Sequence, residues 1–193
     1  MAEVTNVLLV GVGGQGTLLA ARILSGVLQE AGYDVKMSEV HGMSQRGGSV
    51  VTFVRYGHKV HSPLVEKGSA HLILAFEKLE ALRWLPYLKA NGTIVVNDLA
   101  LLPAPVLMGK AKYPPNALDI LEEKTGKLMV IDAAQVALKE AGNIRTQNVA
   151  LLGALARNMD LEIETWEKVI RENVPPKTVE ANLKAFAAGG KYQ

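Results

Sequence analysis

Two stretches of this chain concentrate the residue types that can do chemistry. The first, "GVGGQG", sets Gly11, Gly13 and Gly16 at the spacing G-x-G-x-x-G, with Gly14 and Gln15 completing the turn. Between a strand and a helix, such a turn aims unpaired backbone N–H groups and the positive end of the helix at an anion. Gly11 permits the tight turn, Gly13 the close approach of a phosphate, and Gly16 the packing of helix on strand. The rival phosphate loop, G-x-x-x-x-G-K-[ST], needs a lysine where Thr17 stands, so phosphoryl transfer is discounted. The second stretch, "SEVHGMSQRGGSVVTFVRYG" (38–57), packs Glu39, His41, Ser44, Gln45, Arg46 and the pair Gly47-Gly48 into one connection. Glu39 follows the turn by about 20 residues, where an acid holds the ribose of a dinucleotide. It is equally placed to order its own loop, and the glycines are open to a reading in which they only permit close packing.

Hydrophobic periodicity indicates the elements that hold these residues. "VTNVLLV" (4–10) reads as a strand buried on both faces and stopped by Gly11. Leu18, Leu19, Ile23, Val27 and Leu28 recur at helical spacing as far as Gly32. With a second strand in "YDVKMSEV" (33–40), the first 40 or so residues form a βαβ unit with an expected right-handed crossover. "GSVVTFVRYGHKVHSP" alternates like a hairpin or antiparallel excursion, with a tight turn at Gly57-His58. Further strands are expected at 70–76, 91–98 and 127–132, and Pro86 marks the last turn or a kink of the helix between the first two. "PAPVLMG" is a candidate short edge strand, "NALDILEEKTG" a short helix and "AAQVALKEAG" another. From residue 145 the signals are helical to the end, broken at Asp160 and at Pro175-Pro176, with a fraying tail "GGKYQ". No repeat, low-complexity tract or linker divides the chain, so residues 1–193 read as one domain. The fold class is α/β: a three-layer, Rossmann-like, mostly parallel sheet with an antiparallel excursion and a helical C-terminal section.

Composition narrows the function. A chain of 193 residues, 49% apolar and 21% charged, supports one substantial core and leaves no room for long disorder. A net charge of +2 without a dense basic cluster makes nucleic acid an unlikely partner. The absence of cysteine excludes disulfides, thiolate nucleophiles and iron–sulfur ligation by this chain, so a redox centre of that kind belongs to a partner. The start lacks the layout of a secretory signal and the apolar runs are too short to span a membrane, which points to a cytoplasmic protein.

Among isolated candidates, His58 and His61 lack a nearby carboxylate cluster, so no metal site is expected. His71 reads as a strand-end histidine. Asp98 and Asp132 follow strands, where ligands bind in α/β folds, and each is also a candidate helix N-cap, the reading preferred for Asp132. Gly153 would let two helices approach closely, while Asn182 and Phe186 sit on either a partner-facing or a core-facing stripe.

The two motifs together resemble the start of gamma-type subunits or domains of the 2-oxoacid:ferredoxin oxidoreductase family, in which G-x-G-G-Q-G is followed by an "SQRGG" or "AQRGG" segment. The form "SEVHGMSQRGG" is most similar to small subunits acting on arylpyruvates such as indolepyruvate. The similarity continues through "NDLALLP", "GNIRTQNVALLGALAR" and "PPKTVEANLKAFAAG", nearly the whole chain. It implies a subunit that is inactive alone and binds no cofactor by itself. Its large partner would carry thiamine diphosphate, Mg and 4Fe-4S clusters, with coenzyme A as co-substrate and ferredoxin as electron acceptor. The resemblance also gives the second stretch its roles. Arg46 would pair with a carboxylate or a coenzyme A phosphate through its planar fork of donors, and Ser44 and Gln45 would hydrogen-bond polar ligand atoms. Gly47 and Gly48 would admit a ligand or a neighbouring backbone, and His41 would donate a proton or serve as a turn residue. Met43 would pack at an interface, and Asn148 is marked by the family pattern without a physical role. A solubilising surface loop, a free-standing dinucleotide-binding module, and the gamma subunit of a pyruvate, 2-oxoisovalerate or 2-oxoglutarate enzyme remain the alternatives.

Overall fold

Strand β1 (Thr5–Val12) explains the centre of the molecule. Val7 and Leu9 face one side of the sheet and Leu8 and Val10 the other, and all four are fully buried. A strand apolar on both faces must be covered on both. The computed structural model describes residues 4–41 and 48–192. Among these, six strands form one sheet in the order β2 (Asp34–His41), β3 (Ser49–Gly57), β1, β4 (Ala70–Ala75), β5 (Leu88–Asn97), β6 (Lys127–Ile131). On the β4 side of β1 the pairings are parallel; on the β3 side they are antiparallel.

One face carries α1 (Thr17–Glu30), α5 (Ala133–Ala141), α6 (Gln147–Ala156), α7 (Ile163–Asn173) and α8 (Val179–Lys191) over Val7, Leu9, Val54, Leu74 and Val95. The other is covered by α2 (Lys78–Trp84) and α4 (Ala117–Lys124) over Leu8, Val10, Phe53, Ile73 and Ile94. The expected three layers and helical C-terminal section are therefore present.

The expected βαβ unit differs in one respect: β2 does not lie beside β1, because β3 is inserted between them and runs antiparallel to both. The reason is polarity. β2 carries Asp34, Lys36 and Glu39 and has no fully buried position, which suits a sheet edge, whereas Val50 to Val54 of β3 are all buried. The antiparallel partner of β3 is thus β2, which precedes it, and no hairpin forms at Gly57-His58. Between Gly57 and Ala70 the chain forms no strand; Arg55 holds it by donating to the carbonyls of Ser62 and Leu64, both at 2.9 Å. "PAPVLMG" forms a short helix, α3 (Ala104–Leu107), not an edge strand.

The tail also departs from expectation, since Gly189 and Gly190 lie inside α8. A Cβ on Gly189 would overlap the backbone carbonyl of Ala150 on α6, and one on Gly153 would overlap that of Phe186 on α8. The two helices meet backbone to backbone, and Gly153 has the role its sequence context suggested. Phe186 stacks on Trp166 (5.5 Å between ring centroids) and Asn182 bonds the Thr178 carbonyl, so both belong to the core. Gly189→Ala should lower unfolding free energy by about 1–3 kcal/mol through overpacking. Gly190→Ala, whose Cβ would meet only ordinary contact at 3.5 Å, should be neutral or slightly stabilising. Urea denaturation of the two variants checks this; equal effects would contradict it.

Candidate functional site

The glycine turn leaves β1 at its C-terminal end, the side on which parallel α/β sheets bind ligands. Its interior is occupied by Gln15. The Gln15 Oε1 accepts from Val12 N–H at 2.7 Å, and its Nε2 donates to the carbonyl of Phe76 at 3.0 Å. Gly11 makes this possible, because a Cβ there would stand 2.8 Å from Gln15 Oε1 and 3.0 Å from Phe76 Cβ. Gly14 (φ 99°) and Gly16 (φ 79°) adopt the left-handed backbone that other residues avoid. A Cβ on Gly16 would lie 2.6 Å from the amide nitrogen of Asn148, which reaches over from α6 and donates to the Gly16 carbonyl at 3.4 Å. Asn148 thereby acquires a physical role: it wedges the helical layer against the turn. Helix α1 begins at Thr17 with no side-chain cap.

The Phe76 carbonyl is shared. Asn97, buried at the end of β5, donates to it at 3.3 Å and accepts from Ala133 N–H at the start of α5 at 3.0 Å. One chain of hydrogen bonds therefore runs along the C-terminal ends of β1, β4 and β5: Val12 to Gln15 to Phe76 to Asn97 to Ala133. Neither Phe76 nor Asn97 was singled out from sequence. The available signal was the polar residue that ends the apolar run "TIVVN", one position before the Asp98 that was singled out.

The second motif folds back onto the first. Gly13 N–H donates to the Gly48 carbonyl at 3.0 Å, and β3 then continues along β1 with Ser49 opposite Val12. Glu39 lies on the edge strand opposite Thr52, whose hydroxyl donates to its carboxylate at 3.4 Å. With β3 between β2 and β1, it stands two strand spacings, roughly 10 Å, from the glycine strand. That geometry is of an acid ordering its own hairpin. His41 is exposed at the end of β2, opposite Val50. Met43, Ser44, Gln45, Arg46 and Gly47 lie outside the described residues.

Two buried carboxylates at the start of α2 hold the surroundings of the turn. Glu77, the residue after Phe76, is 1% exposed: its Oε2 caps α2 by accepting from Glu80 N–H (3.0 Å), while its Oε1 accepts from Leu101 N–H (3.1 Å) and the Tyr113 hydroxyl (2.5 Å). Glu80 accepts from the Ser49 hydroxyl and from Arg83 Nε at 3.1 Å, tying α2 to the exit of the second motif. Burial, and next the Glu77 carboxylate, push the Tyr113 phenol well above its usual range.

The remaining candidates separate cleanly. Asp132 caps α5 by accepting from Gln135 N–H at 2.9 Å, as preferred. Asp98 caps no helix and pairs with Lys78 Nζ at 2.6 Å. His71 accepts from Asn6 N–H at 3.1 Å on the neighbouring strand. Among the described residues no three His, Asp or Glu side chains converge as metal ligands would, and no helix is long and apolar enough to cross a membrane.

Gln15→Ala should cost about 1–3 kcal/mol, because Val12 N–H and one bond of the Phe76 carbonyl lose their partner. Asn97→Ala should cost a similar amount. The double variant should be non-additive, since both amides serve one carbonyl; additive losses in urea denaturation would contradict a shared network. In an alkaline spectrophotometric titration, Tyr113 should ionise late, and Tyr113→Phe should remove that late phenol. Because the folded value is raised, its contribution to stability is complete below the unfolded value of about 10 and is lost as pH climbs toward the folded one.

Comparison with known proteins places this architecture. The family model described as pyruvate ferredoxin/flavodoxin oxidoreductase matches residues 6–192. Indolepyruvate oxidoreductase subunit IorB of Thermococcus kodakarensis is 46% identical over 193 residues, covering 96% of this chain and 94% of that one. The pyruvate/ketoisovalerate oxidoreductases common subunit gamma of the same organism is 29% identical, covering 91% and 89%. Among solved structures, the 2-oxoglutarate:ferredoxin oxidoreductase of Magnetococcus marinus, with 2-oxoglutarate, coenzyme A and succinyl-CoA bound, superposes with a TM-score of 0.73 at 19% identity. That match covers 97% of this chain and 30% of the other, so there the fold is one part of a longer polypeptide. With a mixed sheet of this order, a glycine turn closed on the second motif and a family match over almost its full length, the chain belongs to the pyruvate ferredoxin/flavodoxin oxidoreductase family.

Proposed function

We propose that this chain is the small subunit of a cytoplasmic indolepyruvate-type 2-oxoacid:ferredoxin oxidoreductase, one gamma-type unit that is inactive without its large partner. The observation that carries this is the contrast between two proteins of one organism: 46% identity to the indolepyruvate subunit against 29% to the pyruvate/ketoisovalerate gamma subunit. A chain equally distant from all 2-oxoacid classes would not show that gap.

In this reading the complex converts an arylpyruvate, coenzyme A and two oxidised ferredoxins into an aryl-acyl-CoA, carbon dioxide, two reduced ferredoxins and a proton. Thiamine diphosphate with Mg and the 4Fe-4S clusters, all on the large subunit, supply the carbanion-stabilising and electron-carrying chemistry. This chain, which has no cysteine, supplies one wall of the site. Arg46 offers its planar fork to the 2-oxoacid carboxylate or a coenzyme A phosphate, and Ser44 and Gln45 hydrogen-bond polar ligand atoms. Gly47 and Gly48 admit the ligand or partner backbone beside the glycine turn, and His41 stands at the loop entrance as a proton or hydrogen-bond donor. The contact of Gly48 with Gly13 supports treating the two motifs as one surface.

Indolepyruvate-dependent ferredoxin reduction should require both subunits; turnover by the isolated chain, or no association with a thiamine-binding partner, would overturn the assignment. In the assembled complex Arg46→Ala should lower kcat/KM for coenzyme A or the 2-oxoacid by about 10- to 100-fold, the worth of a charge-assisted contact. Arg46→Lys should also be impaired, because a point charge does not replace a fork. Wild-type kinetics for every substrate would remove Arg46 from the site.

A further inference from the structure

Leu101, Leu102, Leu107 and Met108 are exposed by 39%, 50%, 71% and 66%, four large apolar side chains within eight residues. The backbone that carries them is internally ordered. Leu107 N–H bonds the Pro103 carbonyl (3.1 Å), Met108 that of Ala104 (2.9 Å), and Lys110 that of Pro105 (2.8 Å), with Gly109 (φ 71°) closing the turn. Both ends of the segment are tied to one atom, since Glu77 Oε1 accepts from Leu101 N–H and from the Tyr113 hydroxyl. The fold therefore buries a carboxylate to fix an arm that buries little of its own apolar surface. In an isolated molecule that arrangement forgoes the hydrophobic gain such side chains normally make.

We propose that residues 101–113 form a preformed docking arm for the large subunit, seated in an apolar cleft bordered by carboxylates. The proposal rests on the subunit assignment above. Three observations select the occupant. The arm is tied to the glycine turn through consecutive residues, Phe76 bonded by Gln15 and Glu77 bonded by Leu101 and Tyr113, so it flanks the surface a partner would complete. Residues 99–118 contain no acid, while Lys110 and Lys112 are exposed beside the apolar side chains, which calls for an acidic rim on the other side. A second copy fits poorly, because a twofold contact of arm on arm would set these lysines against each other. Prior ordering by Glu77 lowers the entropy cost of docking.

The test measures binding of the purified chain to its large subunit. Leu107→Asp/Met108→Asp changes only exposed positions, so the isolated variant should keep the wild-type circular dichroism and thermal midpoint while its affinity falls at least about 100-fold. Tyr113→Phe, which removes one tie, should weaken binding several-fold and admit proteolysis within 101–113 while sparing the rest of the chain. Wild-type affinity for the double variant would overturn the arm as the docking element. So would self-association of the wild-type chain that the double variant abolishes with large-subunit binding unchanged. Failure of the wild-type chain to bind any thiamine-binding subunit would instead overturn the subunit assignment, which keeps the two failures distinct.

Discussion

The carbonyl of Phe76 is the point on which the C-terminal edge of the parallel strands depends. It lies just past β4, where the parallel ladder ends and backbone groups must find other partners or stay unpaired. Two side-chain amides meet there, Gln15 from the turn after β1 and Asn97 from the end of β5, and each uses its oxygen on a further backbone N–H. A single carbonyl thus fixes the turn, two neighbouring strand ends and the start of α5 relative to one another. Losing either amide strands one backbone N–H and leaves the Phe76 carbonyl with a single side-chain donor, a cost of about 1–3 kcal/mol that no exposed contact would replace.

The same edge uses two buried acids in place of apolar packing. Glu77 and Glu80 are three residues apart and at most 3% exposed, and a pair of buried carboxylates is costly unless each is well supplied with donors. Glu77 has three: two backbone N–H groups and a phenol. Glu80 has a hydroxyl and one guanidinium. Hydrophobic residues would pack here at less electrostatic cost, but they would not dictate direction. A carboxylate with distinct donors on each oxygen fixes which segments meet and in what orientation, and those segments are the arm after β5 and the start of β3.

Much of this was legible in the sequence, and the limits are instructive. Runs apolar on both faces, such as "VLLV", "LILAF" and "TIVV", identify central strands, and helical spacing identifies α1 and the C-terminal helices. The order of strands was not legible from connectivity alone. The polar character of "DVKMSE" against the apolar "VVTFV" held the answer, since only the latter tolerates an interior place. Gly189 and Gly190 look like a frayed tail because glycine disfavours helix locally; close approach of α6 overrides that preference, and nothing near residue 189 in sequence announces Ala150. Around the turn, the glycines, Gln15 and Gly48 stand out by pattern, whereas Asn97 and Glu77 do not, because single polar residues at strand ends acquire meaning only when the strands are placed side by side.

That placement also changes what the glycine spacing means. In a dinucleotide fold the strand beside β1 is the one that carries the ribose-binding acid. Here β3 occupies that place, the acid moves out to the edge with Thr52 as its partner, and the Gly48 carbonyl comes down on the turn. Three of the turn's backbone donors are already engaged: Val12 N–H by Gln15, Gly13 N–H by Gly48 and Gln15 N–H by Val12. The small residues serve close approach: Gly11 admits the folded-back Gln15, and Gly16 admits Asn148. A turn packed this tightly from within presents a rigid surface, its shape set by Gln15 folded back inside it, by the Phe76 carbonyl just past β4 and by Asn148 from α6.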